Sequence, residues 1–184
     1  MKIKCLIFDL DGTLFFTEKA NYLAYKKTLK IFGINFKKET YKKFFGLRLK
    51  ELLTSINPDL VINIKKIKEL KSKFYKKNLK FIIPNTNLIE FLKYAKKIKL
   101  ICCLATTASK KNTMMILNYF KIKKYFDLII TGDDVQNAKP HPECFNKCID
   151  NFNLNPNECL IFEDSEIGIE CSKKAKINVI KIIK

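Results

Sequence analysis

Residues 3–16 read IKCLIFDLDGTLFF, a run of strand-forming apolar residues broken by Asp9 and Asp11 and followed at once by Gly12 and Thr13. In an open α/β sheet, ligands bind beyond the carboxyl ends of the strands, so a polar cluster directly after an apolar strand marks where chemistry is expected. Two carboxylates this close need a cation, a shared proton or a phosphoryl ligand nearby to be tolerated. Gly12 allows a tight turn and a close approach to an anion, and Thr13 can bond within that turn. An ordinary strand-to-turn Asx motif is the bland alternative. It suits one aspartate, whereas the full DxDGT after an apolar strand points to function.

Outward from this stretch, strand candidates recur at 3–8, 100–105, 128–131, 160–163 and 179–183, and helical periodicity at about 87–98, 110–119, 142–152 and 166–175 separates the later ones. The alternation predicts an α/β fold built on a Rossmann-like parallel sheet. Residues 17–85 are too many for a crossover, and their segments ANYLAYKKTLKIFG, GLRLKELLTSI and IKKIKELKSKFYKKNLKF read as amphipathic helices. The expected organisation is a catalytic core of residues 1–16 and 86–184, with a small helical cap of residues 17–85 that ends beyond Pro84.

The ends of the later strands supply further polar residues. LATTAS, residues 104–109, places Thr106 where a hydroxyl and nearby backbone N–H groups could hold a phosphate, although Thr and Ser are also common helix caps. Lys139 lies in NAKPHPECF, ahead of a further helix; composition alone makes any lysine here a solvated one, and only the KPxPE setting sets this one apart. LIFEDSEIGIE ends a strand with Glu163 and Asp164, an acidic pair suited to a hard cation such as Mg²⁺, with a helix-start signal from Asp164 and Ser165 as the alternative. Each is ambiguous alone. Three at successive strand ends are much less so.

Composition limits the partners. A length of 184 residues allows one packed core with a modest second lobe. Apolar runs such as LICCLA, residues 100–105, are far too short for a bilayer, and Asp9 and Asp11 cut short any secretory signal, so a cytoplasmic protein is expected. The net charge of +18 comes from 36 basic residues of which one, Arg48, is an arginine. Readers of nucleic acid cluster charge and favour Arg, so no specific nucleic-acid partner is expected; attraction of anions in general is. The seven cysteines are read as reduced core residues, because His141 is the only histidine and the Cys144/Cys148 pair has no partner pair for a metal.

Four segments in order, DLDGT (9–13), LATTAS (104–109), KPHPE (139–143) and FEDSEIG (162–168), resemble the motifs of the haloacid dehalogenase superfamily, in the branch with a helical cap after the first strand. The resemblance spans nearly the whole chain. It implies a phosphatase in which Asp9 attacks phosphorus to form an aspartyl-phosphate and Asp11 serves as acid and base. It implies Mg²⁺ held by the Asp9 carboxylate, the Asp11 backbone carbonyl and Asp164, supported by Glu163, with Thr106 and Lys139 on the phosphoryl oxygens. Dehalogenase chemistry proper does not use the second aspartate in this way.

Substrate choice would rest with the cap. FFGLRLKELL, residues 44–53, is similar to the segment that reaches over the site in sugar-phosphate members, so Arg48 or Lys50 would touch substrate, with an ordinary solvated charge as the equal alternative. Thr17, a further candidate for substrate contact, and Glu18 match that branch, whereas Phe16 and Asn21 stand where its members often carry Asp and His. The missing histidine favours hydrolysis over a β-phosphoglucomutase-type cycle. The length resembles small bacterial phosphatases of fructose-1-phosphate or 6-phosphogluconate. The expected partner is therefore a small phosphorylated sugar met by a monomer, with no membrane. A mutase of the same fold, and more remotely a basic nucleic-acid-binding protein on that scaffold, are the alternatives.

Overall fold

β1 (Cys5–Phe8) has four buried apolar side chains and no polar alternation, the pattern of a strand covered on both faces. It is the middle of a five-stranded sheet in the order β5-β4-β1-β6-β7, in which every pairing is parallel. The structure is a computed structural model that describes residues 2–43, 49–56 and 63–183, with backbone only at 49 and 50.

After β1 the chain forms β2 (Phe15–Phe16), then the helices α1 (Glu18–Ile31), α2 (Lys38–Lys43), α3 (Leu49–Ile56) and α4 (Ile64–Lys77), and returns through β3 (Ile83–Pro84). The core follows as α5 (Thr86–Lys97), β4 (Ile101–Ala105), α6 (Lys110–Tyr119), β5 (Leu128–Ile130), α7 (Glu143–Asp150), β6 (Cys159–Glu163), α8 (Glu166–Lys174) and β7 (Asn178–Lys181). The sheet strands and core helices lie within a few residues of the segments picked out by periodicity. The antiparallel pair β2–β3, with Phe15 opposite Pro84 and Phe16 opposite Ile83, was not anticipated, because two residues carry no period.

The chain divides into two compact units, residues 1–16 with 83–184, and residues 17–82. In the first, one sheet face buries Cys5, Ile7, Cys103, Cys159 and Ile161 against Phe145 and Cys148 of α7 and Cys171 of α8. On the other face Phe8 stacks on Phe162 at 4.9 Å, and Phe162 meets Phe91 of α5 edge-on at 5.6 Å. All seven cysteines are buried and free, as expected of reduced core residues. Side-chain caps start three core helices: Asn85 accepts from Leu88 N–H, Ser109 from Asn112 N–H and Ser165 from Gly168 N–H.

The second unit packs Tyr25, Leu29, Phe36, Tyr41, Leu52, Leu53 and Ile67 into a small core of its own. Within it Lys71 is buried: its Nζ donates to Asn21 Oδ1 at 2.6 Å and lies 4.7 and 4.6 Å from the ring centres of Tyr25 and Tyr75. Charge is uneven between the units. Residues 17–82 hold 18 of the 36 basic residues but five of the 18 acidic ones, a net +13 of the total +18. Among the described residues no helix is long and apolar enough to cross a membrane.

Candidate active site

The register of the sheet builds the site. Phe8 of β1 lies level with Leu104 of β4 and Phe162 of β6, so the next residues, Asp9, Ala105 and Glu163, emerge side by side at the carboxyl ends. Lys139 reaches in from the irregular connection between β5 and α7. Its Nζ donates to Asp9 Oδ1 at 2.8 Å, to Glu163 Oε2 at 2.7 Å and to the Ala105 carbonyl at 3.2 Å. Three acceptors match the three N–H bonds of an ammonium. The ion pairs are dry, with side-chain exposures of 4% for Lys139, 8% for Asp9 and 1% for Glu163.

Burial sets the proton affinities. Loss of hydration, and next the Glu163 charge, push Asp9 well above the ordinary carboxylate range, against the pull of Lys139. For Lys139 burial opposes the ammonium, but Asp9 and Glu163 outweigh it and hold the pKa well above its usual value. Burial likewise opposes ionised Glu163, and Lys139 together with the Ser165 hydrogen bonds outweighs it and lowers the pKa.

Glu163 uses both oxygens. While Oε2 takes Lys139, Oε1 accepts from the N–H of Asp164 and of Ser165, both at 3.1 Å, and from the Ser165 hydroxyl at 2.8 Å. Asp164 Oδ1 accepts from the Thr13 hydroxyl at 3.3 Å. Gly12 adopts φ +98°, and a Cβ there would overlap the Asp164 carboxylate. Glycine is thus required twice over, for the left-handed turn and for the space Asp164 fills. Carboxylate oxygens of Asp9, Glu163 and Asp164 lie within 4.8 Å of one another, the one such acidic, Cys or His group among the described residues. The hard oxygen donors of these three carboxylates fit a divalent cation.

The helix starts separate readings that the sequence left open. Ser109, not Thr106, caps α6, and Thr106, buried one residue beyond Ala105, accepts Ala108 N–H on its hydroxyl at 3.1 Å. Likewise Ser165 caps α8, so Asp164 is not a cap. Asp9, Thr106, Lys139, Glu163 and Asp164 therefore gather at adjoining strand ends, and Asp11 follows Asp9 in the turn, partly exposed. Thr17, in the second unit, accepts from Asn21 Nδ2 at 3.2 Å. Arg48 lies outside the described residues, as does the side chain of Lys50. Sequence reading missed Lys71, which nothing marks among 35 lysines, and the Ala105 carbonyl, since backbone acceptors leave no trace in composition.

The structure thus joins a parallel α/β sheet to a lysine-bridged carboxylate cluster at the carboxyl ends of its strands. The chain belongs to the haloacid dehalogenase-like hydrolase family, whose pattern matches residues 6–182. It is 30% identical over 181 residues to the phosphorylated carbohydrates phosphatase of Thermotoga maritima, covering 95% of this chain and 82% of that one. It is 28% identical over 174 residues to pyrophosphatase PpaX of Bacillus cereus, covering 92% of this chain and 78% of the relative. The fold matches crystalline CbbY from Rhodobacter sphaeroides in complex with phosphate, with a TM-score of 0.89 at 23% identity over 97% of this chain and 85% of that one.

Proposed function

We propose that the protein is a Mg²⁺-dependent phosphatase of small phosphorylated sugars, with the core unit carrying the chemistry and residues 17–82 acting as a cap. The observation that carries this reading is the Asp9–Lys139–Glu163 bridge at the strand ends with Asp164 beside it. The similarity to a phosphatase of phosphorylated carbohydrates supports the substrate class.

Asp9 attacks phosphorus through a carboxylate oxygen, and the bond to the sugar oxygen breaks as the aspartyl-phosphate forms. Asp11 gives a proton to that leaving oxygen, then takes one from the water that cleaves the acyl phosphate and restores Asp9. The Lys139 ammonium pulls Asp9 toward its ionised form against burial and faces the phosphoryl oxygens, with Thr106 beside them. Asp9, Asp164 and the Asp11 carbonyl would hold Mg²⁺, with Glu163 supporting them. When bound, the ion supplies positive charge against the phosphoryl oxygens.

The test is phosphate release from a panel of sugar phosphates and inorganic pyrophosphate, with Mg²⁺ and with EDTA, beside Asp9→Asn. Metal-dependent release that drops roughly a thousandfold or more in the variant is expected. Full activity in Asp9→Asn would sink the mechanism. Pyrophosphate as the preferred compound would move the substrate class toward that of the Bacillus cereus relative.

A further inference from the structure

Lys139 must present its ammonium to three acceptors at once, yet it sits in the irregular connection between β5 and α7. What orders that connection is Glu143, the first residue of α7. Its Oε1 accepts Gln136 N–H at 2.9 Å; its Oε2 accepts Asn137 N–H at 2.8 Å and Asn137 Nδ2 at 3.2 Å. Residues 136–143 are thereby closed into a ring, with Lys139 near its middle. Inside the ring His141 N–H donates to the Ala138 carbonyl at 2.9 Å, and Glu143 N–H donates to His141 Nδ1 at 3.3 Å. Lys147, one helical turn on, backs the carboxylate at 3.2 Å and ties the Asp134 carbonyl at 2.5 Å. Asp134 in turn accepts the N–H and hydroxyl of Thr131, at 2.9 and 2.5 Å, at the end of β5. The connection is pinned at its strand end, its midpoint and its helix end. All of Glu143's named partners lie in that connection or on α7.

We propose that Glu143 is a positioning residue: by closing residues 136–143 through two backbone N–H groups, it fixes where the Lys139 ammonium meets Asp9 and Glu163. The inference rests on the phosphatase reading for its effect on turnover, because a functional group displaced by about 1 Å can cost a hundredfold in rate. It does not rest on that reading for its effect on Lys139 itself.

The experiment pairs turnover with a direct observation of the lysine. In Glu143→Ala, kcat for metal-dependent phosphate release falls about ten- to a hundredfold with KM changed less than about threefold. The ¹⁵N-detected Lys139 ammonium resonance, protected from exchange in the parent protein, broadens or is lost. Glu143→Gln, which keeps one acceptor oxygen, falls between the two in both readouts, and Lys147→Ala shows a smaller loss than Glu143→Ala. A thermal melt on each variant separates misplacement from unfolding. Unchanged kcat in folded Glu143→Ala overturns the proposal, and so does an unchanged Lys139 resonance. Should the parent release no phosphate from any compound, the phosphatase reading falls and the resonance alone decides for or against Glu143.

Discussion

Lys139 divides its three N–H bonds among Asp9, Glu163 and the Ala105 carbonyl in a site that water hardly reaches, so its removal leaves two buried carboxylates facing each other. Breaking such a pair on one side costs about 3–5 kcal/mol. Lys139→Met should lose about that much stability in denaturant melts, and Mg²⁺ should restore part of it by supplying the missing positive charge. Glu143 makes a prediction in pH. The Asn137 and Gln136 N–H groups, then Lys147, hold its pKa at about 2 against an ordinary 4.5. A folded-state pKa below the unfolded one means stability that is present above pH 4.5 and lost as pH falls toward 2. The melting temperatures of the parent and Glu143→Gln should therefore converge by pH 2 and separate above about pH 4.5. A gap independent of pH would show that the charge is not what matters.

At the level of elements, α8 can pack behind β6 only because position 168 lacks a side chain. A Cβ on Gly168 would overlap the Glu163 carboxyl group, which Lys139 and Ser165 hold in place. Alanine would gain up to ~1 kcal/mol of helix propensity, but forcing atoms into an occupied space costs about 1–3 kcal/mol. Gly168→Ala should therefore destabilise the protein and lower turnover together, by shifting Glu163 and with it Lys139. A variant as stable as the parent would show that Glu163 yields. Much of this architecture was legible beforehand. The unbroken apolar run CLIF, at 5–8 and again at 159–162, announces buried parallel strands, and the polar cluster begins where each run stops. Less could be read of how the pieces lock. That Ser109 and Ser165 take the capping duty, leaving Thr106 and Asp164 to the cluster, depends on which of several adjacent polar residues the backbone aims at its own N–H groups. The burial of Lys71 depends on Tyr25, Tyr75 and Asn21 converging on it from two helices, which no local pattern encodes.

For the molecule as a whole, a net charge of +18 should draw anionic substrates through dilute electrolyte. Salt shortens that reach to about 8 Å at physiological strength. kcat/KM for a sugar phosphate should fall several-fold between about 0.05 and 0.5 M salt while kcat holds, and equal decline of both would point to damage to the fold instead. The seven buried thiols make a second test of integrity. Burial pushes Cys102 up to about 12, whereas Cys144 is lowered by Cys171 and Lys139 despite its burial. A thiol reagent at pH 8 should leave the native protein almost unlabelled and should titrate all seven after unfolding. Finally, the short antiparallel pair of β2 and β3 sets Phe16 directly opposite Ile83. Residues so paired have Cα atoms about 5 Å apart, a gap that a two-residue Asn-Gly hairpin can close. The 66 residues between them are therefore an exchangeable insert: a shortened gene joining position 16 to position 83 should yield a foldable stub, onto which insertions of other lengths could be grafted without disturbing the five-stranded sheet.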